Sequence, residues 1–223
     1  MNYQLNFAPV FANFDHLLAG MLVTLELSVG AMLLGTVVAV LCAAGKTGGP
    51  RPVRWLVDVY IELIRNTPFL IQIFFIFFGL PALGIRFSPN TAALVALTVN
   101  VGAYATEIIR AGIESIQKGQ IEAGTALGLR PVQIFRYIIV KPALRTVYPA
   151  LTSQFIYLML TSSVVSVISA TDLAAAGNDI QSQTFASFEV YLVITGMYLV
   201  LSIVFSGLFS LIRRRAFNYP LSR

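Results

Sequence analysis

Five long apolar runs divide the chain, at residues 17–43, 57–80, 91–113, 147–170 and 189–212. About 20 mostly apolar residues cross the ~30 Å hydrocarbon core of a bilayer as a helix. The pattern therefore predicts an all-α membrane bundle of five spans, one domain over 1–223. The second run is the least regular. Asp58, Glu62 and Arg65 load its first third, and only 69–80 is free of charge. A stretch of that length suits a re-entrant segment; the favoured reading is a full span whose polar end lies at the interface or against protein. Along the first run, Ala31, Gly35, Ala39 and Ala43 recur every four positions. That ladder lines one helical face and lets another backbone approach closely, with packing inside the chain favoured over a dimer contact.

The connections differ in kind. Those at 81–90 and 171–188 are short and hold Pro, Gly, Asn and Ser, which predicts turns; 45–50 reads as a loop. The connection around 114–146 is longer than most loops of a compact domain. Within it Ile121, Ala126, Leu129, Val132, Phe135, Ile138 and Ile139 are spaced by threes and fours, which predicts two short amphipathic helices. Gly128 stops the first, and Pro131 opens the second at its first position. Two uses fit such a pair: resting on lipid headgroups, or docking a soluble partner. Glu122, at the start of the first helix, suits the positive end of the helix dipole but not an anionic membrane surface.

Composition agrees with the spans and adds an orientation. The 223 residues are 57% hydrophobic and 11% charged, against about a quarter charged in soluble domains. The formal net charge is +5, but its placement argues against a nucleic-acid partner. Fourteen of the fifteen cations fall in or beside the 44–56 and 114–146 connections, near the start of the second run, or after the fifth; only Arg86 is opposite. Basic loops stay cytoplasmic, so the N-terminus is expected outside and the C-terminus inside. No basic stretch precedes the first run, which reads as a retained span and not a signal peptide. One cysteine and one histidine, Cys42 and His16, form no disulfide or metal cluster and are expected to be packing residues. "AAGKT" at 43–47 is not a phosphate loop: Val40 stands where the glycine is required, and the motif follows a span, not a strand.

Four strings in order resemble the permease subunits of bacterial ABC importers. Glu122, Ala123, Gly124, Gly128 and Ile138 match the family's cytoplasmic EAA signature. The usual Leu-Pro ending is replaced by Val140-Lys141, with proline one residue late at Pro142. "LAGMLVTLELSVGAMLLGTVVAV" is similar to the family's first span. "YIELIRNTPFLIQIFFIFFGLP" is similar to its second, with Asn66 where glycine is common. "AYATEIIRAGIESIQKGQIEAG" and "VVSVISATDL" resemble the polar amino-acid branch.

The resemblance implies a non-catalytic subunit of the bacterial inner membrane. It implies no cofactor on this chain: ATP and Mg belong to a partner ATPase, present in two copies. A second permease, identical or homologous, and an extracytoplasmic amino-acid-binding protein complete the implied assembly. The segment 122–142 is the implied coupling element. Glu122 and Gly128 shape it, Ala123, Gly124 and Ala126 are small to let the ATPase approach, and Pro131 and Ile138 belong to its second helix. Closure of the ATPase then drives alternating access as a rigid-body switch. The implied solute is a polar amino acid, with opines in the same class.

Ionisable and polar groups at membrane depth are candidates for the solute path. Glu26 lies near mid-depth by the ~1.5 Å rise per residue and suits either a cationic substrate or a neighbouring helix. Asn100 and Tyr104 share a face of the third span, and Thr161, Ser162 and Ser163 make the fourth unusually hydroxylated. Glu107 and Arg110 are three apart and are expected to pair with each other. A channel or gradient-driven transporter needs no ATPase and is the alternative; an intramembrane enzyme lacks convergent acid–base groups.

Overall fold

The ladder of small residues finds its partner within the chain. The computed structural model describes residues 5–217, in which all regular structure is helical; Arg223, counted above for orientation, lies outside them. After a short α1 (Ala8–Ala12) comes α2 (Phe14–Gly48), on which Ala31, Gly35, Ala39 and Ala43 are all buried. They face α5 (Pro89–Glu114) in the most extensive helix pairing of the fold. A Cβ on Gly35 would run into Val101 and lie 3.2 Å from the Thr98 carbonyl. Glycine there sets how closely the two backbones approach. Helix α2 also runs through Gly45 to Gly48, so the expected loop at 45–50 shrinks to Gly49 and Pro50. One interior glycine costs a helix only about 1 kcal/mol; the helix ends where proline forbids its continuation.

The second apolar run is where the structure departs most from the pattern. It is not one helix but two, α3 (Arg51–Arg65) and α4 (Phe69–Leu83), bent by 109° at the break. The cause is local. Pro68 has no N–H and pushes Thr67 out of the helical region. Broken backbone at membrane depth survives only when its polar groups are met, and here side chains meet them. Asn66 Nδ2 donates to the Glu62 carbonyl (2.9 Å), and Thr67 Oγ1 to that of Leu63 (2.7 Å). Gln72 Nε2 donates to the carbonyls of Ile64 (2.7 Å) and Thr67 (3.0 Å). Asn66 takes φ −101°, so nothing at that position requires glycine.

The fourth run is longer than expected. Helix α7 (Pro131–Ile168) joins the second short helix of the polar connection to the span itself. Only α6 (Lys118–Ala126) is a separate short helix. Residues Ile134–Val140 of α7 are wound as π-helix, two residues before Pro142; likewise Phe75–Gly79 precede Pro81. A proline denies its N–H to the carbonyl four residues back, and the wider i→i+5 turn hands that carbonyl to the next donor. The late proline is thus absorbed without breaking the helix.

The 171–188 connection holds a helix that was expected to be a turn. In α8 (Leu173–Thr184), Asp172 is the N-cap, accepting from Ala175 N at 3.0 Å. Burial pushes the Asp172 carboxyl up to about 6, opposed by hydrogen bonds from backbone N–H groups and Tyr198. Leu173, Ala176 and Ile180 pack with Val10, Leu17, Val190 and Ile194. A Cβ on Gly20 would lie 2.8 Å from the Asp172 carbonyl. Last comes α9 (Ser187–Ala216), whose Glu189 is buried and accepts from Asn6 N at 2.7 Å.

Contacts define two ends. Lys46, Arg110, Tyr148 and Arg213 gather at one, the basic end, and His16, Asn90, Asp172 and Glu189 at the other.

Candidate functional site

At the basic end, α6 turns back onto α7 through a glycine that the geometry requires. Gly128 sits at φ +75°, a left-handed conformation open to glycine at little cost. Gly128 N donates to Thr125 O (3.0 Å) and Leu129 N to Gly124 O (3.1 Å), satisfying the last carbonyls of α6. Arg130 N donates to Gln133 Oε1 at 2.8 Å, and Pro131 begins α7.

Gly124 is buried, and a Cβ there would run into Ile138. Its size serves the contact between α6 and α7, not the approach of a partner. Glu122, Ala123 and Ala126 are exposed, beside Leu127 (81% exposed) and Val132 (76%). Glu122 lies a full turn into α6, which begins at Lys118, so the dipole argument for it loses its force. The segment offers an exposed, partly apolar surface with one carboxylate.

A groove of about 550 Å³ opens between the end of α3, the last turns of α5, and α7. Arg65, Tyr104, Glu107, Arg110 and Gln154 line it. The Arg65 guanidinium lies 5.4 Å from the centre of the Tyr104 ring, a cation–π contact. Glu107 is held from two sides: Lys46 Nζ at 2.7 Å, and Arg110 with its Nη2 at 2.8 Å. Lys46 also reaches Asp58 at 2.8 Å, and Arg110 pairs with Glu114. This chain of ion pairs ties α2, α3 and α5 together, and it contains the expected Glu107–Arg110 pair. Among the described residues Arg65 makes no ion pair. The Gln154 amide nitrogen is buried and has no hydrogen-bond partner among the described residues.

Of the six residues read as solute path, only Tyr104 lines this groove. Asn100 is one turn away but buried, donating to Gln72 Oε1 at 3.0 Å. It locks the side chain that satisfies the α3–α4 break, so its amide is committed to the bend. Glu26 faces outward on α2, exposed beside Leu22 and Val29. Thr161 is half-buried, where α7 tightens into a 3₁₀ turn. Ser162 Oγ donates to Met159 O (2.6 Å) and Ser163 Oγ to Leu160 O (2.9 Å), the own-helix bonding common for such hydroxyls. His16 is not a packing residue: it is exposed, 3.3 Å from Asp179, while Cys42 is half-buried. Gln154 and Arg65 also line the groove and were not among the residues read as solute path. The signal for Gln154 was a lone amide in "LTSQFIYLML"; Arg65 was absorbed into the orientation count.

Three comparisons bear on this geometry. Residues 18–218 match the family described as "Binding-protein-dependent transport system inner membrane component". The chain is 37% identical to the probable glutamine ABC transporter permease protein GlnM of Bacillus subtilis, covering 91% of this chain and 94% of that one. It is 34% identical to the glutamine transport system permease protein GlnP of Escherichia coli K12 (95% and 98% covered). To the L-cystine transport system permease protein TcyB of Bacillus subtilis it is 33% identical (97% and 90% covered). Among solved structures, an amino acid ABC transporter crystallised with histidines superposes with TM-score 0.89, at 36% identity over 96% of this chain and all of that one. The inward-facing MetNI methionine ABC transporter superposes at TM-score 0.71 and 23% identity, over 91% of this chain and 97% of that one, a likeness of fold. A bent multi-span bundle, an exposed helical elbow on one end and these full-length similarities agree: the chain belongs to the binding-protein-dependent transport system inner membrane components, the permease subunits of ABC importers.

Proposed function

We propose that this chain forms half of the membrane pore of an ATP-driven amino-acid importer, with the groove at Arg65, Tyr104 and Gln154 on its solute path. The preferred cargo is an uncharged polar amino acid of the glutamine type. The observation that carries the reading is a groove lined by Gln154, whose amide nitrogen has no hydrogen-bond partner among the described residues, and by Arg65, which makes no ion pair among them. An α-carboxylate suits a guanidinium, which offers two parallel donors. A neutral amide suits another amide and offers no countercharge to a cation. Glu107 and Arg110 are each committed to ion pairs within the chain. Glu26 faces away from the groove, which weighs against a cationic cargo selected by that residue.

The charge asymmetry supports a cytoplasmic basic end, with α6 and the start of α7 as the docking surface for the ATPase. Two ATPase copies, a second permease and an extracytoplasmic binding protein complete the reading. The exposed face around Leu127 and Val132 is what such a partner would cover.

Two measurements test this. Purified from its native membrane in mild detergent, the tagged chain is expected to bring down an ATPase subunit in near-equal amount; a complex without one returns the gradient-driven alternative. In proteoliposomes with saturating binding protein, Gln154→Leu is expected to slow glutamine uptake about tenfold, the worth of one hydrogen bond of ~1–1.5 kcal/mol. The ATPase should remain bound. Unchanged uptake removes the groove from the solute path.

A further inference from the structure

At the end opposite the basic one, the turn between α7 and α8 holds an unusual residue. Ser169 sits at φ +62°, a left-handed conformation that strains any residue with a Cβ. Three helices hold the turn in place. Thr171 N donates to Asn90 Oδ1 on α5 (3.0 Å), and Asn90 Nδ2 donates back to Thr171 Oγ1 (3.1 Å). Leu173 N donates to Thr24 Oγ1 on α2 at 3.0 Å, and Tyr198 Oη on α9 donates to Asp172. Beside this turn a pocket of about 310 Å³ opens between the first turns of α2 and α8. Ligand sites begin at about that volume. Its floor is small and apolar: Gly20, Ala170 and Ala176 are buried, and a Cβ on Gly20 would lie 2.9 Å from that of Ala176. Of its polar lining, the Ser166 and Thr171 hydroxyls are engaged, one with the Ser163 carbonyl and the other with Asn90. Asn178, Ser169 and Asp179 are not used up in this way. Asn178 Oδ1 accepts from Tyr191 Oη at 3.0 Å, which orients the amide and leaves its N–H groups without a hydrogen bond among the described residues. The Ser169 hydroxyl makes none there either. The Asp179 side chain is 64% exposed and has one partner, His16 Nε2 at 3.3 Å, beyond the usual length of a hydrogen bond. No Lys or Arg is among the described residues that line the pocket.

We propose that this pocket is a receiving site that holds a free α-amino acid by its two charged poles. It rests on the reading above of an amino-acid importer and adds a second site, reached before the groove. The Asn178 N–H groups and the Ser169 hydroxyl are donors suited to an α-carboxylate. The Asp179 carboxylate is suited to an α-ammonium, and a charge-assisted bond of that kind is about twice as strong as a neutral one. The ligand must carry both poles. An anion without an ammonium group would be repelled by Asp179, and a bare amine would leave the donors unused. The floor of glycine and alanine leaves room for a side chain and offers it no charge. Strained backbone such as that of Ser169 is found at ligand clamps, where the surroundings hold it. With the basic end cytoplasmic, the pocket faces the side from which solute arrives. It shares no lining residue with the groove at Arg65, Tyr104 and Gln154.

The test is photolabelling of the intact importer complex in nanodiscs, without ATP or binding protein, by a diazirine-bearing glutamine analogue. Peptides from 166–179 are expected to carry the label, and excess glutamine to remove it. Glutaramic acid, which lacks the amino group, and 4-aminobutanamide, which lacks the carboxyl group, should each compete about tenfold less well, having lost one charged hydrogen bond. Asp179→Asn should weaken labelling about tenfold. It should also shrink the advantage of glutamine over glutaramic acid, which a purely structural role would leave intact. Asn178→Asp keeps an acceptor for Tyr191 but sets a like charge where the donors were, and labelling should be lost. Asp15→Asn, at an exposed carboxylate on α2 outside the lining, should change nothing. Label on 166–179 that glutamine does not remove, or that Asp179→Asn leaves as it was, would overturn the receiving site. Label confined to peptides with Tyr104 or Gln154 would also overturn it while leaving the groove standing. No label in either place would overturn both the site and the glutamine reading of the groove.

Discussion

Glu122→Arg is expected to leave the chain in the membrane and remove transport: uptake in proteoliposomes should fall about 100-fold, and ATP hydrolysis should no longer respond to loaded binding protein. The size follows from the geometry. Glu122 is exposed on α6 and makes no ion pair among the described residues, so reversing its charge leaves none of their buried groups unsatisfied. The effect falls on whatever covers α6. Truncating one partner of a charge pair in an interface costs ~2–5 kcal/mol, and a like-charge contact costs more. The readouts separate coupling from folding. Membrane abundance and elution volume should match the parent, while co-purified ATPase drops. Parent-like uptake would show that Glu122 has no part in docking. A conservative partner to the experiment is Ala126→Leu, which retains charge but raises the surface between Ala123 and Leu127.

Gly35→Leu is expected to have the largest effect on the fold. A Cβ at this position already meets Val101 Cγ1 and the backbone of Thr98 and Gly102, at 3.2 and 3.4 Å for the last two. A side chain would have to push α2 away from α5 along the most extensive helix pairing of the fold, which contributes to the main core cluster. Overpacking a tight core costs ~1–3 kcal/mol, occasionally more. This site is at the upper end because two of its three neighbours are backbone and cannot turn aside. The expected result is a melting temperature in detergent lower by about 10 °C, given roughly 2–4 °C per kcal/mol for a chain of this size. Gly48→Ala is the control. It lies on the same helix, but a Cβ there meets nothing within 4 Å, and the melting temperature should not move. If both variants melt together with the parent, the ladder does not set the α2–α5 distance.

Much of this was readable one residue at a time. Runs of ~20 apolar residues can only be spans in a solvent that cannot satisfy backbone groups, so the bundle followed from hydropathy. The ladder of Ala31, Gly35, Ala39 and Ala43 named the packing face of α2 before any partner was known. Gly128 and Pro131 marked the elbow, since a left-handed turn and a helix start are chemically demanding positions with few acceptable residues.

What the sequence left open was where side chains spend their hydrogen bonds. Asn100, Gln72, Ser162 and Ser163 are polar in apolar surroundings, and sequence alone does not distinguish a lining group from a satisfied one. Tertiary contacts decided it. Gln72 and Asn100 hold the 109° bend at Pro68, and the serines return to their own helix. The same contacts brought together Arg65, Tyr104 and Gln154, drawn from three helices far apart in the chain. They also gathered His16, Ser169 and Asp179 around one pocket. Helix α8 needed the packed faces of α2 and α9 to form at all: 12 residues of small and polar character carry too little propensity alone. Local rules determine spans, turns and close-packed stripes, because those depend on solvent and backbone within a few residues. Which polar groups remain open for a solute depends on neighbours dozens of residues distant, and only the folded chain supplies them.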